Sequence, residues 1–327
     1  MAATLGVDHG TEGLRFCLLK DGKTRFLEVG REDASGRSVL PLLEERGFLD
    51  ADLIGLTYSM ADGIDAITDL RLVERRGQRE AVTGEFSGGG TRLFDEIKGS
   101  GRRAVLIPGM HRGIRCLDRR FRFLYSHMAA SEKTALAYHA YLMVNREIAA
   151  PDMIIADISS NTVTVGIACG RLFGAVDACL GAPGLVHGPL DLGRIRLVDS
   201  GRLSANQAFY SAGVSKMAGL GIEEVLDGRD EKADLAREAL IAAVEMEVAG
   251  LSRLIRPQAI VIAGSAGIHR NIFGRLKEVF EETAPVYRLD RYGAAEGAAE
   301  IAQGILQGER EFLGVGVNLG ADGESSG

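Results

Sequence analysis

Read from its first residues, the chain sets short apolar runs between glycine-bearing breaks. Thr4–Asp8 is one such run, closed by Gly10; Leu14–Leu19 is a second, closed by Asp21-Gly22; Thr24–Val29 is a third. That rhythm predicts a three-stranded meander. Val39–Arg46 reads as an amphipathic helix with Val39, Leu42 and Leu43 on one side, and Leu53–Ser59 as a strand. A polar loop over Glu85–Arg92 leads to a helix at Leu93–Lys98 and a buried strand at Ala104–Pro108. Ser131 caps a helix over Ser131–Val144, with Ala135, Leu136 and Tyr138 as its apolar stripe.

The pattern then begins again. Met153–Asp157 is an apolar strand ending in aspartate, as the first was, followed by strands at Val163–Ala168 and Leu172–Val176. Helices are expected over Asn206–Met217, Ala233–Ile255, Arg270–Glu282 and Ala294–Leu306, with strands at Ala259–Ala263 and Val286–Leu289. A meander repeated in each half, then strands alternating with helices, predicts duplicated mixed sheets with helices packed on them. The expected division is residues 1–150, residues 151–313, and a disordered tail over 314–327 that carries little to bury.

Composition narrows the function classes. With 327 residues, 46% hydrophobic and 25% charged, the chain has a real core and is large enough for two domains. Its net charge of −7 disfavours nucleic acid or an anionic membrane as a bulk partner. Asp8 and Glu12 interrupt the first apolar run, so no signal peptide is expected, and no window reaches a membrane span. A soluble, cytoplasmic protein with reduced cysteines is the expectation. Glycine changes the picture most: 43 residues, clustered where apolar strands end. There the backbone turns sharply or approaches a ligand that a Cβ would repel, which points to a phosphate or nucleotide site.

Five segments carry candidate chemistry. Asp8-His9-Gly10-Thr11 offers a carboxylate, a hydroxyl and turn N–H groups at a strand end, a set suited to hydrated Mg²⁺ and phosphate. Asp157-Ile158-Ser159-Ser160-Asn161-Thr162 repeats it about 150 residues later. Gly264-Ser265-Ala266-Gly267 ends an apolar strand with residues small enough for adenine and ribose to lie against the backbone. The helices at Ser131–Val144 and Ala294–Leu306 complete the set, the latter with a small-residue face of Ala295, Gly297 and Ala298.

Over residues 4–307 this order and spacing resembles the superfamily of acetate and sugar kinases, Hsp70 and actin, with its two phosphate, two connecting and one adenosine motifs. The resemblance implies an α/β, duplicated ribonuclease H-like (actin-like ATPase) fold, with two mixed-sheet domains and a nucleotide cleft between them. Cys179–Leu185 and His187–Arg194 look like the stretch after phosphate 2 in acetate and butyrate kinases, and Tyr125-Ser126-His127 sits where acetate kinases keep a substrate-side histidine. Gly88–Arg92, Leu106–Arg112, Ile158–Thr162 and His187–Asp191 look like the archaeal methanogenesis marker protein 12 family, which implies a methanogen cytosol.

The resemblance implies ATP and Mg²⁺ as cofactors. Asp8 and Asp157 would hold the cation through water, with Glu296 as a third acidic residue. Gly10, Thr11, Ser159, Ser160 and Thr162 would serve the phosphates; Gly264, Ser265 and Gly267 would flank the adenosine. His187 and Arg194 are catalytic candidates, and Arg92, His111, Arg112 and His127 substrate-binding ones. Each has a plainer alternative: a polar hairpin, a packed histidine, a solvated arginine face. Two readings lead. One is Mg-dependent phosphoryl transfer to a small acceptor, such as a carboxylate; the other is an ATP-hydrolysing accessory protein acting on a protein partner. An actin-like filament is a third. The expected partners are ATP and a small-molecule or protein substrate, with a homodimer left open.

Overall fold

The computed structural model describes residues 2–10, 13–58, 61–78 and 89–320. They form two compact units, one of Met1–Met143 with Tyr292–Gly327 and one of Val144–Arg291.

The first unit opens with the expected meander, β1 (Ala3–His9), β2 (Gly13–Lys20) and β3 (Lys23–Gly30), paired antiparallel in sequence order. Helices α1 (Arg31–Gly36) and α2 (Leu40–Glu45) lead to β4 (Leu53–Thr57), which lies parallel to β1. Then follow β5 (Ile67–Asp69), α3 (Gly89–Gly99) and β6 (Ala104–Ile107), the last parallel to β4. A two-stranded ribbon of β7 (Met110–His111) and β8 (His127–Ala129) encloses α4 (Arg119–Leu124), and α5 (Ser131–Asn145) follows.

The second unit repeats the plan with β9 (Met153–Ile158), β10 (Thr162–Ala168) and β11 (Arg171–Asp177). Five helices follow: α6 (Leu192–Asp199), α7 (Ala205–Phe209), α8 (Val214–Ala218), α9 (Ile222–Asp227) and the long α10 (Glu231–Ile255). They lead to β12 (Ala259–Ala263), parallel to β9, then α11 (Arg270–Phe280) and β13 (Val286–Arg288), parallel to β12. The chain then rejoins the first unit through α12 (Gly293–Leu306), β14 (Glu311–Phe312) and β15 (Val315–Asn318).

The duplication is legible in the strand orders. The core of the first sheet runs β3-β2-β1-β4-β6, and the second sheet runs β11-β10-β9-β12-β13. In each, the meander is antiparallel and the next two strands lie parallel to its first member. This is the mixed α/β, ribonuclease H-like arrangement. Among the described residues no helix is long and apolar enough to cross a membrane.

Period-2 alternation sorts the first meander onto two faces. Leu5, Val7, Phe16 and Leu18 join a core with Phe94 and Ile97 of α3, whereas Cys17 and Leu19 pack with Ala295 and Ala299 of α12. On that second face the helix touches backbone. A Cβ on Gly6 would lie 1.9 Å from the Ala295 carbonyl oxygen, and one on Gly55 2.1 Å from that of Ala298. On its far side α12 meets α5, where a Cβ on Gly297 would lie 1.9 Å from the Ala135 carbonyl oxygen. The Thr4 hydroxyl donates to the Ala299 carbonyl at 2.9 Å.

This packing corrects the division of the chain at residue 150. The helix at 293–306 belongs with the first sheet, because it seats against Gly6 of β1 and Gly55 of β4, while its own Gly297 meets Ala135 of α5. The tail expected from residue 314 begins instead as a strand: Val317 and Asn318 of β15 pair with Ile67 and Thr68 of β5. The helix expected over Asn206–Met217 is two short ones. Gly213 separates them where its Cα lies so close to Val186 that a Cβ would be 2.2 Å from backbone carbon. Gly89–Arg92, expected as loop, is the first turn of α3.

Candidate functional site

In the first unit Asp8 is the penultimate residue of β1 and only 3% exposed. Its register partner on β2 is Arg15, whose own partner on β3 is Glu28. The guanidinium bridges both carboxylates, 3.3 Å from Asp8 Oδ2 and 3.4 Å from Glu28 Oε1, a cross-strand ladder of alternating charge. Gly10 sits where a Cβ would approach Arg15 Nη1 to 3.0 Å. Thr11 lies outside the described residues.

His9 ties this turn to the start of α3. Its N–H donates to Thr57 Oγ1 at 3.1 Å, and that hydroxyl donates to the Val7 carbonyl at 3.0 Å. Its ring stacks on Tyr58 with centroids 5.7 Å apart. It also lies against Gly90, where any Cβ would clash with the imidazole. Tyr58 Oη and Thr91 Oγ1 are hydrogen-bonded at 3.1 Å. Burial, aided by the Arg31 charge, pushes the His9 pKa down to about 4, so the ring is neutral at neutral pH.

In the second unit Asp157 is the penultimate residue of β9 and 7% exposed. Two loops converge on the turn that follows it. Ala266 and Gly267 donate their N–H groups to the Ile158 carbonyl at 3.0 and 2.9 Å. Gly264, at φ +84°, lies so close that a Cβ would be 2.4 Å from Asp157 Oδ1 and 2.3 Å from the Ile158 oxygen. Only glycine accepts both that backbone angle and that contact. From the other direction Leu185 donates to the Ser159 carbonyl at 2.9 Å, and Val186 and His187 to that of Ser160 at 2.9 and 2.8 Å. Within this unit the fold therefore joins Asp157, Ser159, Ser160, Gly264 and Gly267, residues the sequence holds about 100 positions apart. Ser265 is exposed beside them.

Other sequence candidates take different places. Thr162 Oγ1 donates its one proton to the Pro183 carbonyl at 2.7 Å. His187 is buried in an aromatic stack, 4.9 Å from Phe209 and 4.7 Å from Tyr210 between centroids. Arg194, in the first turn of α6, hydrogen-bonds Ser211 Oγ, and Asp191 caps that helix. His111 is buried with both ring nitrogens engaged, Nε2 2.9 Å from the Ile64 carbonyl and Nδ1 accepting from Gly113 at 3.1 Å. It pairs with His127 across the β7–β8 ribbon, while Arg92 and Arg112 are exposed. Glu296 has its Oε2 3.4 Å from His139 Nε2, and Glu300 takes His139 Nδ1 at 2.9 Å. The three side chains join α5 to α12.

One residue escaped the sequence reading. Glu247, midway along α10, accepts the Ala182 N–H and the Thr164 hydroxyl. A Cβ on Gly181 would fall 2.0 Å from its Oε1. It thus pins the loop after β11, the loop that goes on to hold the Ser159-Ser160 turn. Burial pushes its pKa up to about 7; the two hydrogen bonds oppose the rise and the Asp177 charge adds to it. A signal was present: Leu240, Val244 and Leu251 are buried on the same side of α10, and Glu247 interrupts their three- and four-residue spacing.

No family model matches the chain. Among solved structures it superposes on a propionate kinase from Francisella tularensis with a TM-score of 0.64 at 12% identity, covering 93% of this chain and 100% of that one. An acetate kinase from Porphyromonas gingivalis gives the same score and identity, over 94% and 100%. A ROK family glucokinase from Streptomyces griseus gives 0.50 at 12%, over 92% and 99%. At such identities these likenesses establish the actin-like kinase fold. In sequence the chain is 44% identical to a UPF0285 protein of Methanocaldococcus jannaschii, over 97% of this chain and 99% of that one. It is 42% identical to a UPF0285 protein of Methanothermobacter thermautotrophicus, over 96% and 98%. Those relatives carry that designation rather than the marker-protein name the motifs suggested. With such identity along nearly its whole length, the chain belongs to the UPF0285 family of methanogen proteins.

Proposed function

We propose that this protein binds MgATP and transfers the terminal phosphoryl group to a small acceptor, with carboxylates the first class to test. One observation carries the reading. Asp8 and Asp157 hold the same place in two copies of one sheet topology, each a buried carboxylate at the penultimate position of the strand from which the parallel strands extend. Each sheet thus carries an acidic group near the corresponding strand end. The fold likeness to acetate and propionate kinases supports the same reading.

The residues suit the cofactor. Aspartate oxygens are the hard donors Mg²⁺ prefers. In this reading Asp8 of one unit and Asp157 of the other are the residues that would hold Mg²⁺ through water, and the cation would offset charge on the phosphates. The chain's own groups do the remainder. Arg15 holds the Asp8 carboxylate in one orientation, and the Ser160 hydroxyl and neighbouring turn N–H groups donate to phosphate oxygens. Gly264 and Gly267 let the loop after β12 close on the Asp157-Ile158 turn, and positioning of donor against acceptor supplies most of the rate.

The test is calorimetric titration with Mg²⁺ and a non-hydrolysable ATP analogue, then ADP release against a panel of short carboxylic acids and alcohols. One acceptor should stimulate turnover. Asp157→Asn should lower that turnover about 100-fold or more with an unchanged melting temperature, because it removes the charge and keeps the shape. Asp8→Asn should do the same at some cost in stability, since Arg15 loses a partner. No nucleotide binding by the wild-type protein, or full turnover in Asp157→Asn, would refute the proposal.

A further inference from the structure

The excursion between β7 and β8 is a built feature with an unusual surface. Its base is packed: Ile114, Leu117 and Phe121 are buried, Arg112 N–H donates to the Ser126 carbonyl at 3.3 Å, and Arg122 Nε donates to the Arg112 carbonyl at 3.0 Å. Asp118 caps α4 and forms a bidentate pair with Arg120. Above this base the next residues face solvent. Phe123 is 85% exposed, more than any other large hydrophobic side chain among the described residues, and Leu124 beside it is 62% exposed. Arg112, Arg115, Arg119 and Arg120 are exposed around them.

Charge makes the patch stand out further. Residues 111–126 hold five arginines, one aspartate and no lysine, in a chain whose net charge is −7. Among the described residues Arg120 alone of the five is ion-paired. Phenylalanine beside leucine in contact with water is an apolar pair that a partner can cover. Arginine with an aromatic anchor is the composition of interface hot spots, and the guanidinium fork matches a carboxylate pairwise.

We propose that the α4 excursion is a docking surface for an acidic protein segment that carries an apolar anchor. The partner's carboxylates pair with Arg112, Arg115 and Arg119, and its apolar side chains cover Phe123 and Leu124. A six-residue helix presents too short a track of cations for a nucleic acid, and an anionic membrane would have to accept the acidic remainder of the molecule close to its surface. The proposal adds a macromolecular partner to a protein whose nucleotide reading requires none, and it stands independently of that reading.

The experiment uses the full-length protein and fluorescence anisotropy. The probes are a labelled glutamate-rich peptide containing two leucines, an all-glutamate peptide of equal length, phosphatidylglycerol vesicles and a single-stranded RNA. The leucine-bearing peptide should bind with saturation, more tightly than the all-glutamate one, and more weakly as salt rises. Phe123→Ser and the double variant Arg115→Ala/Arg119→Ala should each weaken it by about tenfold or more. Both variants should keep the wild-type melting temperature, since the altered side chains lie outside the core. Absence of peptide binding, or equal binding by the variants, overturns the proposal. So does tighter binding of vesicles or RNA through the same residues, or self-association that Phe123→Ser abolishes.

Discussion

Gly55→Val should destabilise the protein by about 3 kcal/mol or more and lower its melting temperature by roughly 6–12 °C. The added Cβ falls 2.1 Å from the Ala298 carbonyl oxygen and 2.9 Å from its carbon. Both are backbone atoms inside α12, so no rotamer change relieves the clash. Either β4 leaves its register between β1 and β6, or α12 lifts from the sheet and uncovers Ala295, Ala298 and Ala299. Gly274→Ala is the matched control with the opposite sign. Gly274 lies inside α11 with nothing within 4 Å of the added carbon. There the substitution only restricts the unfolded chain and should stabilise by about 0.5–1 kcal/mol. Thermal melts of the two variants separate close approach from glycine's intrinsic helix cost. A Gly55→Val melt equal to the wild type would show that α12 is not seated on β4.

Glu247→Gln should remove a pH dependence from folding and stabilise the protein above neutrality. In the folded state the Glu247 carboxyl has a pKa raised to about 7 by burial, against an ordinary 4.5. Between those values the native state binds the proton and the unfolded state does not, so stability falls as pH rises through that window. The contribution is fully present below about 4.5 and fully lost above about 7, a swing of up to about 3 kcal/mol. Glutamine keeps a carbonyl for the Ala182 N–H and presents an amide that the Thr164 hydroxyl can accept by rotating. The variant should match the wild type at pH 5 and exceed it by about 1–3 kcal/mol at pH 8. Urea midpoints measured across that range decide it; parallel wild-type and variant profiles would mean that the carboxylate is already ionised and solvated in the fold. Because the Glu247 loop holds the Ser159-Ser160 turn, nucleotide affinity should follow the same pH profile in the wild type and flatten in the variant.

The meanders, the two strand-end aspartates and the glycines of the turns were legible because each is a local pattern. Alternation over five to eight residues fixes a strand's faces, and an aspartate–glycine sequence after it marks a turn whatever the remainder of the chain does. Gly264 illustrates how far this reaches. Its small size was readable as a demand for close approach, but that the approaching group is the Asp157 carboxylate was not, since the two are joined only through the parallel pairing of β12 with β9. His111 and His187 were illegible for the same reason. A histidine's role depends on what surrounds the ring, and those neighbours, the Ile64 carbonyl in one case and the Phe209 and Tyr210 rings in the other, lie on different segments of the chain.

Sequence alone determined the repeated unit of this protein: antiparallel meanders whose first strand ends near an aspartate, the helices between them, and the charge and aromatic content of the α4 excursion. Those follow from interactions between residues a few positions apart. Tertiary structure alone decided that α12 returns to the first sheet, that Glu296 is taken up by His139, and that Glu247 braces a loop on another element. These rest on contacts such as Thr4 with Ala299, nearly 300 residues apart, which form only where two backbones approach more closely than any side chain would permit.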